Sequence, residues 1–572
     1  MKEIVNRMNK NNCVDQLNYR CRQDKRGEWL EIISYQGNEP KLSIPAEIQG
    51  RPVRAVGDRA FYHMHKLEEI ELPDSVERIG GSAFENCAGL VRVRFPRGLR
   101  YLGNSAFCRC IALDEARLPG TLKTVARSAF YGCGGLKALY LEEGTEEIDD
   151  WAFYSCSALE TISLPQGLLR CGRSAFNTDL ARFVLDSGAV VIDQKLFVAY
   201  EGEEKQVDIP NGVVILADEA LRGNTQMEEV HFPPSLRAIG KGTFENCSGL
   251  QRIHLIKTIR VVGENAFRNC IALKNVKIED GVASLEKGAF SGCEAILSVH
   301  IPESVCRLPD ECFHGCRQLA AVRFPETLTA IGNGAFEACE TLEAVRLPEN
   351  LSSIGDYAFY GSGLRQLKIP EGITYAGHAM LGNCSNLKYM QTKAPLPNTG
   401  FLGAGAVCEF CMSGPEGTVQ WRALYADDLT FFSMSGVRDQ FCSLFRQRDR
   451  KEPDFESYDH SFDYIQKEEV RLKMAMLRIA CPVELGERAM QDYRTFLCAH
   501  SSDALQECIE TKDTQMLKCL CEQEIPQEKA VQEALETTLA RHMVEFTAIL
   551  TAYQSRFKKD SIFDRMMELT LP

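Results

Sequence analysis

Apolar side chains recur along this chain every 23 residues, and phenylalanine marks the period most clearly. Phe61, Phe84, Phe107, Phe130, Phe153 and Phe176 form one series, and Phe244, Phe267, Phe290, Phe313, Phe336 and Phe359 form a second. A fixed period in this range predicts a solenoid, in which each unit buries its apolar face only against its neighbours. The aligned unit reads Leu-x-x-Ile-x-Leu-Pro-x-x-Leu-x-x-Ile-Gly-x-x-Ala-Phe-x-x-Cys. One copy runs through Leu67, Ile70, Leu72, Pro73, Val76, Ile79, Gly80, Ala83, Phe84 and Cys87. Another runs through Leu319, Val322, Phe324, Pro325, Leu328, Ile331, Gly332, Ala335, Phe336 and Cys339. Ile-x-Leu alternates as a short strand with one residue outward between two inward. Proline ends that strand, because it cannot donate to the ladder beyond. The Leu-x-x-Ile stretch is a second short extended segment, and the glycine after it is expected to permit a tight corner. Ala-Phe-x-x-Cys then turns the chain back, with phenylalanine plugging the core.

Two places break the period. After Phe359 one residue is missing, so Ser362 takes the cysteine slot and Cys384 follows a position early. Between Phe176 and Leu221 the unit is degenerate, and Val190 to Tyr200 alternates as a strand pair, predicting an inserted hairpin at about residues 186–206. Beyond Asp439 the period is lost and helical spacing replaces it. Val470, Met474 and Leu477 share one face of a helix over 467–481, which Pro482 closes. Further helices are predicted over 484–499, 504–510, 514–522 and 527–557. The strings Gln506-Glu-Cys-Ile-Glu-Thr and Gln532-Glu-Ala-Leu-Glu-Thr, 26 residues apart, hint at a duplicated helix pair with a faint ankyrin-like character. The expected organisation is a lead-in and cap over 1–57, repeats over 58–395, a cap over 396–445 and a helical domain over 446–572, with Arg446–Pro453 as its linker. The fold class is a β-rich solenoid of about fourteen or fifteen coils, two short strands per coil, followed by an all-α domain.

These units resemble the 23-residue leucine-rich repeats of the BspA-like, treponemal-type family over roughly residues 28–395. The lead-in, Ile33-Ser-Tyr-Gln-Gly37 and then Ile44 to Val53, is similar to that family's first cap. The resemblance implies a right-handed stack that binds proteins or surface ligands. It also implies a bacterial source, and many members are exported adhesins.

Composition narrows the function. Hydrophobic residues are 45% and charged residues 25%, as in ordinary globular chains. A formal net charge of −14 speaks against bulk attraction to nucleic acid or to an anionic membrane, so neither is expected as a partner. The first dozen residues are interrupted by charge and amides, with no apolar signal core. A cytoplasmic protein with reduced cysteines is therefore expected; a surface or secreted adhesin whose signal has been removed is the alternative. No nucleophile elbow, Walker loop, zinc-protease motif or dinucleotide fingerprint is found, so no enzyme and no cofactor are expected. An enzyme in the helical tail is the remaining rival. Cys408-Glu-Phe-Cys411 is a lone C-x-x-C without two further ligands, and no metal site is expected there. The column Cys87, Cys110, Cys133, Cys156, Cys247, Cys270, Cys293, Cys316, Cys339 and Cys384 asks for a small buried side chain at a turn.

The outward strand positions carry the functional signal. Nine of fifteen are basic or imidazole: Arg94, Arg117, His231, His254, Lys277, His300, Arg323, Arg346 and Lys368. Stacked like charges cost roughly 0.2–1 kcal/mol a pair, so a bland surface would mix signs. These residues are the predicted contact ridge of a non-catalytic, protein-binding scaffold whose partner is acidic. Neither the partner's identity nor the oligomeric state follows from the sequence.

Overall fold

The computed structural model describes residues 14–176, 183–392, 407–413, 419–426 and 454–568. The chain forms a β-solenoid of about 16 turns, one or two more than the repeat count suggests, followed by a helical region. It divides into two compact units, Met1–Leu319 and Ala320–Pro572.

In the first unit an antiparallel pair, Leu17–Asp24 with Gly27–Tyr35, opens the array, and Gly27–Tyr35 pairs in parallel with Arg51–Val56. Each coil then contributes one strand to each of two parallel ladders. Glu69–Glu71 aligns with Arg92–Arg94, pairing Ile70 with Val93 and Glu71 with Arg94, while Arg78–Ile79 aligns with Tyr101–Leu102. The 23-residue offset between register partners is the sequence period made physical. The phenylalanines stack as plugs: ring centroids lie 4.9 Å apart from Phe61 to Phe84 and again to Phe107, and 5.3 Å apart from there through Phe176.

The glycine of the repeat has a different role from the one expected. Gly80, Gly172 and Gly240 do not adopt positive φ; the left-handed residue comes two positions later, at Ser82, Ser174 and Gly242. A Cβ at Gly80 would lie 2.5 Å from the Asp58 nitrogen, and one at Gly172 would lie 2.5 Å from that of Asp150. Glycine is needed for close approach of successive coils, and the corner is turned by its neighbour.

The cysteine column gains a specific partner. Each thiol donates to the carbonyl of the plug residue one coil earlier: Cys87 to Phe61, Cys110 to Phe84, Cys133 to Phe107 and Cys270 to Phe244, at 3.0–3.1 Å. Burial raises these thiols, Cys87 to about 12. Cys87, Cys110, Cys133 and Cys270 are buried and form no disulfide.

At the degenerate unit, Ala189–Ile192 pairs antiparallel with Leu196–Tyr200, which then joins Ile215–Leu216 in parallel. Asp218 knits this insertion to the preceding coil. Its backbone N–H donates to Cys171 O at 2.8 Å, while its carboxylate accepts Lys241 N–H at 2.7 Å and the Arg170 guanidinium at 3.3 Å.

In the second unit the coils continue with Ala321–Arg323, Ala344–Arg346, Gln366–Ile369 and Tyr389–Thr392 as first strands. Val407–Ser413 pairs in parallel with Tyr389–Thr392, and Val419–Ala426 closes that sheet antiparallel. Seven helices follow among the described residues: α1 Phe455–His460, α2 Glu468–Ala480, α3 Glu487–Ala499, α4 Ser501–Thr511, α5 Thr514–Glu522, α6 Glu528–Ala540 and α7 Val544–Glu568. The single helix expected over 527–557 is two, because Arg541 caps α6 and His542 adopts a φ of +57°. The expected linker over 446–453 lies outside the described residues. α4 packs on α6 and α5 on α7, so the two similar strings face a shared core, with Cys508, Ile509, Ala534 and Leu535 buried.

This helical core is pinned by a buried ion pair. Arg478, with no exposed surface, donates from Nε to Asp459 Oδ1 at 2.7 Å and from Nη2 to Oδ2 at 2.8 Å. The same guanidinium reaches the carbonyls of Cys481 and Val483 at 3.2 and 3.0 Å, and the Tyr493 hydroxyl donates to Asp459 Oδ1 at 2.8 Å. Tyr458 ties α1 to the last strand by accepting from Leu424 N–H at 3.0 Å and donating to its carbonyl at 2.9 Å.

Candidate functional site

The outward slot is set by strand geometry. In Glu69–Glu71 the central Ile70 is buried and Glu71 exposed, and the same alternation places all nine predicted contact residues in solvent. Six of them, Arg94 to His300, belong to the first unit and three, Arg323, Arg346 and Lys368, to the second.

Within the first unit most of these residues already have acidic neighbours. Arg94 lies 3.9 Å from Asp74, and Arg117 pairs with Glu115 while its guanidinium covers the Tyr140 ring at 3.8 Å. His231 Nδ1 is 2.8 Å from Asp208, its register partner, and Nε2 is 3.6 Å from Glu229. His254 and Lys277 are register partners, and both converge on Glu279, at 2.7 and 3.2 Å. The His254 contact, with the Lys257 N–H and the Lys277 ammonium, holds the Glu279 carboxyl down at about 2. Glu279 escaped the sequence reading, although its signal is present: it occupies the slot that Pro73 and Pro325 hold in other coils. His300 makes no ion pair among the described residues. Tyr140, Ser163, Val184 and Asp208 separate Arg117 from His231 along the row, so the basic residues form clusters and not one stripe.

The second unit is different. Arg323 and Arg346 sit on neighbouring strands, and Arg346 is the register partner of Lys368. Arg346, its side chain 91% exposed, reaches Glu326 only at 3.9 Å. Arg323 and Lys368 make no ion pair among the described residues. Three consecutive rungs therefore present cations: Arg323 and Lys368 without an ion pair among the described residues, and Arg346 with a contact as long as that of Arg94 but on a far more exposed side chain. Gln391 is the next rung, after which the row meets buried Cys411. Beside that end, Arg422 bridges Glu409 at 2.5 Å and Asp513, the N-cap of α5, at 3.9 Å.

Cys408 and Cys411 lie on one strand, Val407–Ser413. Among the described residues no group of three or more His, Cys, Asp or Glu is placed to hold a metal ion, and no helix is long and apolar enough to cross a membrane.

Comparison with known proteins places this architecture. Residues 54–181, 190–320 and 307–400 match a family model described as the BspA type leucine-rich repeat region, in 6 copies. No curated protein matches the chain. Among solved structures, a leucine-rich repeat protein from Bacteroides ovatus is similar at 26% identity, over 66% of this chain and 93% of its own, with a TM-score of 0.33. A leucine-rich cell surface protein from Faecalibacterium prausnitzii is similar at 26% identity, over 59% of this chain and 92% of its own, with a TM-score of 0.26. A leucine-rich repeat protein from Eubacterium ventriosum is similar at 17% identity, over 60% and 93%, with a TM-score of 0.30. Leucine-rich repeat proteins of this kind typically serve protein interaction or adhesion. With the repeat match spanning more than half of its 572 residues, the chain belongs to the BspA type leucine-rich repeat family.

Proposed function

We propose that the chain is a non-catalytic binding scaffold whose outward strand residues hold an acidic protein partner. One observation carries this reading: Arg323, Arg346 and Lys368 stand on successive rungs, exposed, with at most one distant carboxylate among them. A guanidinium takes a carboxylate bidentately, and two on adjacent strands can take two side by side. A reducing cytoplasm is the proposed location, supported by thiols that serve as hydrogen-bond donors inside the array.

The test uses a photo-crosslinking residue at exposed Ala344, on the strand of Arg346, with the same residue at exposed Thr374 on the second strand side as control. The Ala344 probe is expected to trap a protein through an acidic segment, and Arg323→Glu with Arg346→Glu to abolish the trapping. Equal trapping from Thr374, or trapping that survives the double substitution, would refute the reading.

A further inference from the structure

Trp151 occupies a slot that small polar residues hold in neighbouring coils. It stands two residues before the plug phenylalanine, where the others carry Ser82, Ser105, Ser128 and Ser174. The backbone is left-handed in every case, with φ of 52°, 56°, 56° and 49° at the serines and 55° at Trp151. The slot is left-handed along the array, at Arg59, Glu219, Glu311 and Tyr357 as well, so the indole and its neighbours, not the backbone, set Trp151 apart. The indole is held there by arginines from the coils on either side. The Arg127 guanidinium lies 4.3 Å from the ring and that of Arg173 lies 5.0 Å from it. Tyr131 and Tyr154 stack alongside at 5.6 Å, and Tyr154 is exposed.

The acids nearby are already engaged. Asp150 accepts the Arg173 backbone N–H at 3.0 Å, Asp149 faces Arg170 at 3.7 Å, and Glu146 holds Lys123 at 2.6 Å. Arg127 makes no ion pair among the described residues, and Arg173 reaches Glu219 only at 3.8 Å. Tryptophan, tyrosine and arginine are also the residue types that dominate binding hot spots.

We propose that this turn face is a second docking surface, for an acidic segment of a protein partner in polyproline II conformation. The backbones of the two arginines are separated by two coil steps, about 10 Å at the usual strand spacing, and their guanidiniums draw in somewhat closer over the one ring. A polyproline II segment repeats its facing side chain every three residues, about 9 Å. Carboxylates at positions i and i+3 thus meet Arg127 and Arg173, while the intervening chain lies on Trp151 and Tyr154. The surface lies on the turn side of the coil, away from the strand-side row, and does not depend on the function proposed for that row.

The probe is a fluorescein-labelled oligoglutamate peptide, followed by anisotropy with the full chain. Trp151→Ser restores the residue that four coils carry at this φ, so its melting temperature is expected to be unchanged or raised. It is expected to weaken peptide binding about tenfold or more, as loss of a hot-spot tryptophan does. Arg127→Ser with Arg173→Ser, which leaves the indole in place, is expected to weaken it comparably. Arg323→Glu with Arg346→Glu is expected to leave this component intact. Absence of binding to the wild type, unchanged binding by Trp151→Ser, or complete loss in the Arg323/Arg346 variant would overturn the proposal. Tighter binding of oligothymidylate than of oligoglutamate would reassign the surface to nucleic acid and overturn it as well.

Discussion

Replacing Phe267 by alanine is expected to damage the array in a spatially graded way. The ring has no exposed surface and lies between Phe244 at 5.0 Å and Phe290 at 5.2 Å, each nearly parallel to it. Its backbone N–H donates to Ala289 O at 2.8 Å, and its carbonyl accepts the Cys293 thiol at 3.0 Å. Removing a buried phenylalanine with its cavity costs about 3–5 kcal/mol. Of this, the two ring contacts contribute about 0.5–1.5 kcal/mol each. In a solenoid the loss falls on nearest-neighbour interfaces instead of being shared through one core. Hydrogen exchange monitored by mass spectrometry should therefore accelerate by roughly two to four orders of magnitude in the coils of Phe244, Phe267 and Phe290. The coils of Phe84 and Phe107 should exchange as in the wild type. A uniform acceleration along the whole first unit, or none in the flanking coils, would refute the nearest-neighbour account.

Arg478→Ala is expected to cost about 3–5 kcal/mol by denaturant melting, because it leaves the Asp459 carboxylate buried without its cation; Arg478→Met with Asp459→Leu should recover much of that loss, and a mild effect of the single change would show the pair to be solvated. Burial raises the Asp218 carboxyl from its ordinary value near 3.8 to about 6, so the folded state holds this proton more tightly than the unfolded one. Its stabilising contribution is complete below about pH 4 and is lost as pH rises through about 6, up to about 3 kcal/mol. Asp218→Asn should flatten that window in melts taken across it, and an unchanged pH profile would contradict the burial argument. Thiol labelling should leave Cys110, Cys133 and Cys270 unreactive in the native chain, while denaturation without reductant should release nearly all 24 cysteines as free thiols.

The repeat was legible because its chemistry is redundant: a plug such as Phe84 and a strand pair such as Ile70 and Leu72 recur at one spacing, and the period alone sets the register. The glycine was misread because sequence shows that a small residue is required, not whether φ or a neighbouring backbone requires it. The break between α6 and α7 was missed because Arg541-His542-Met543 contains no glycine or proline, and His542 takes the left-handed turn itself. The site was legible only in part. Outward positions follow from alternation, but the pairing of His254 and Lys277 with a single Glu279 needs three dimensions. Trp151 was visible as a departure from the serine slot, yet its meaning rests on Arg127 and Arg173 approaching from adjacent coils.

The salt dependence of partner binding tests the central claim most directly. With the protein trapped at Ala344 in hand, its affinity for the full chain would be measured across ionic strength, beside Arg323→Glu with Arg346→Glu. Exposed charge pairs are screened within about 10 Å at 0.1 M salt. The wild type should therefore bind more weakly as salt rises, while the double variant binds weakly throughout with a flattened slope. Equal affinity and equal slope for the two chains would contradict the assignment of these rungs as the binding surface.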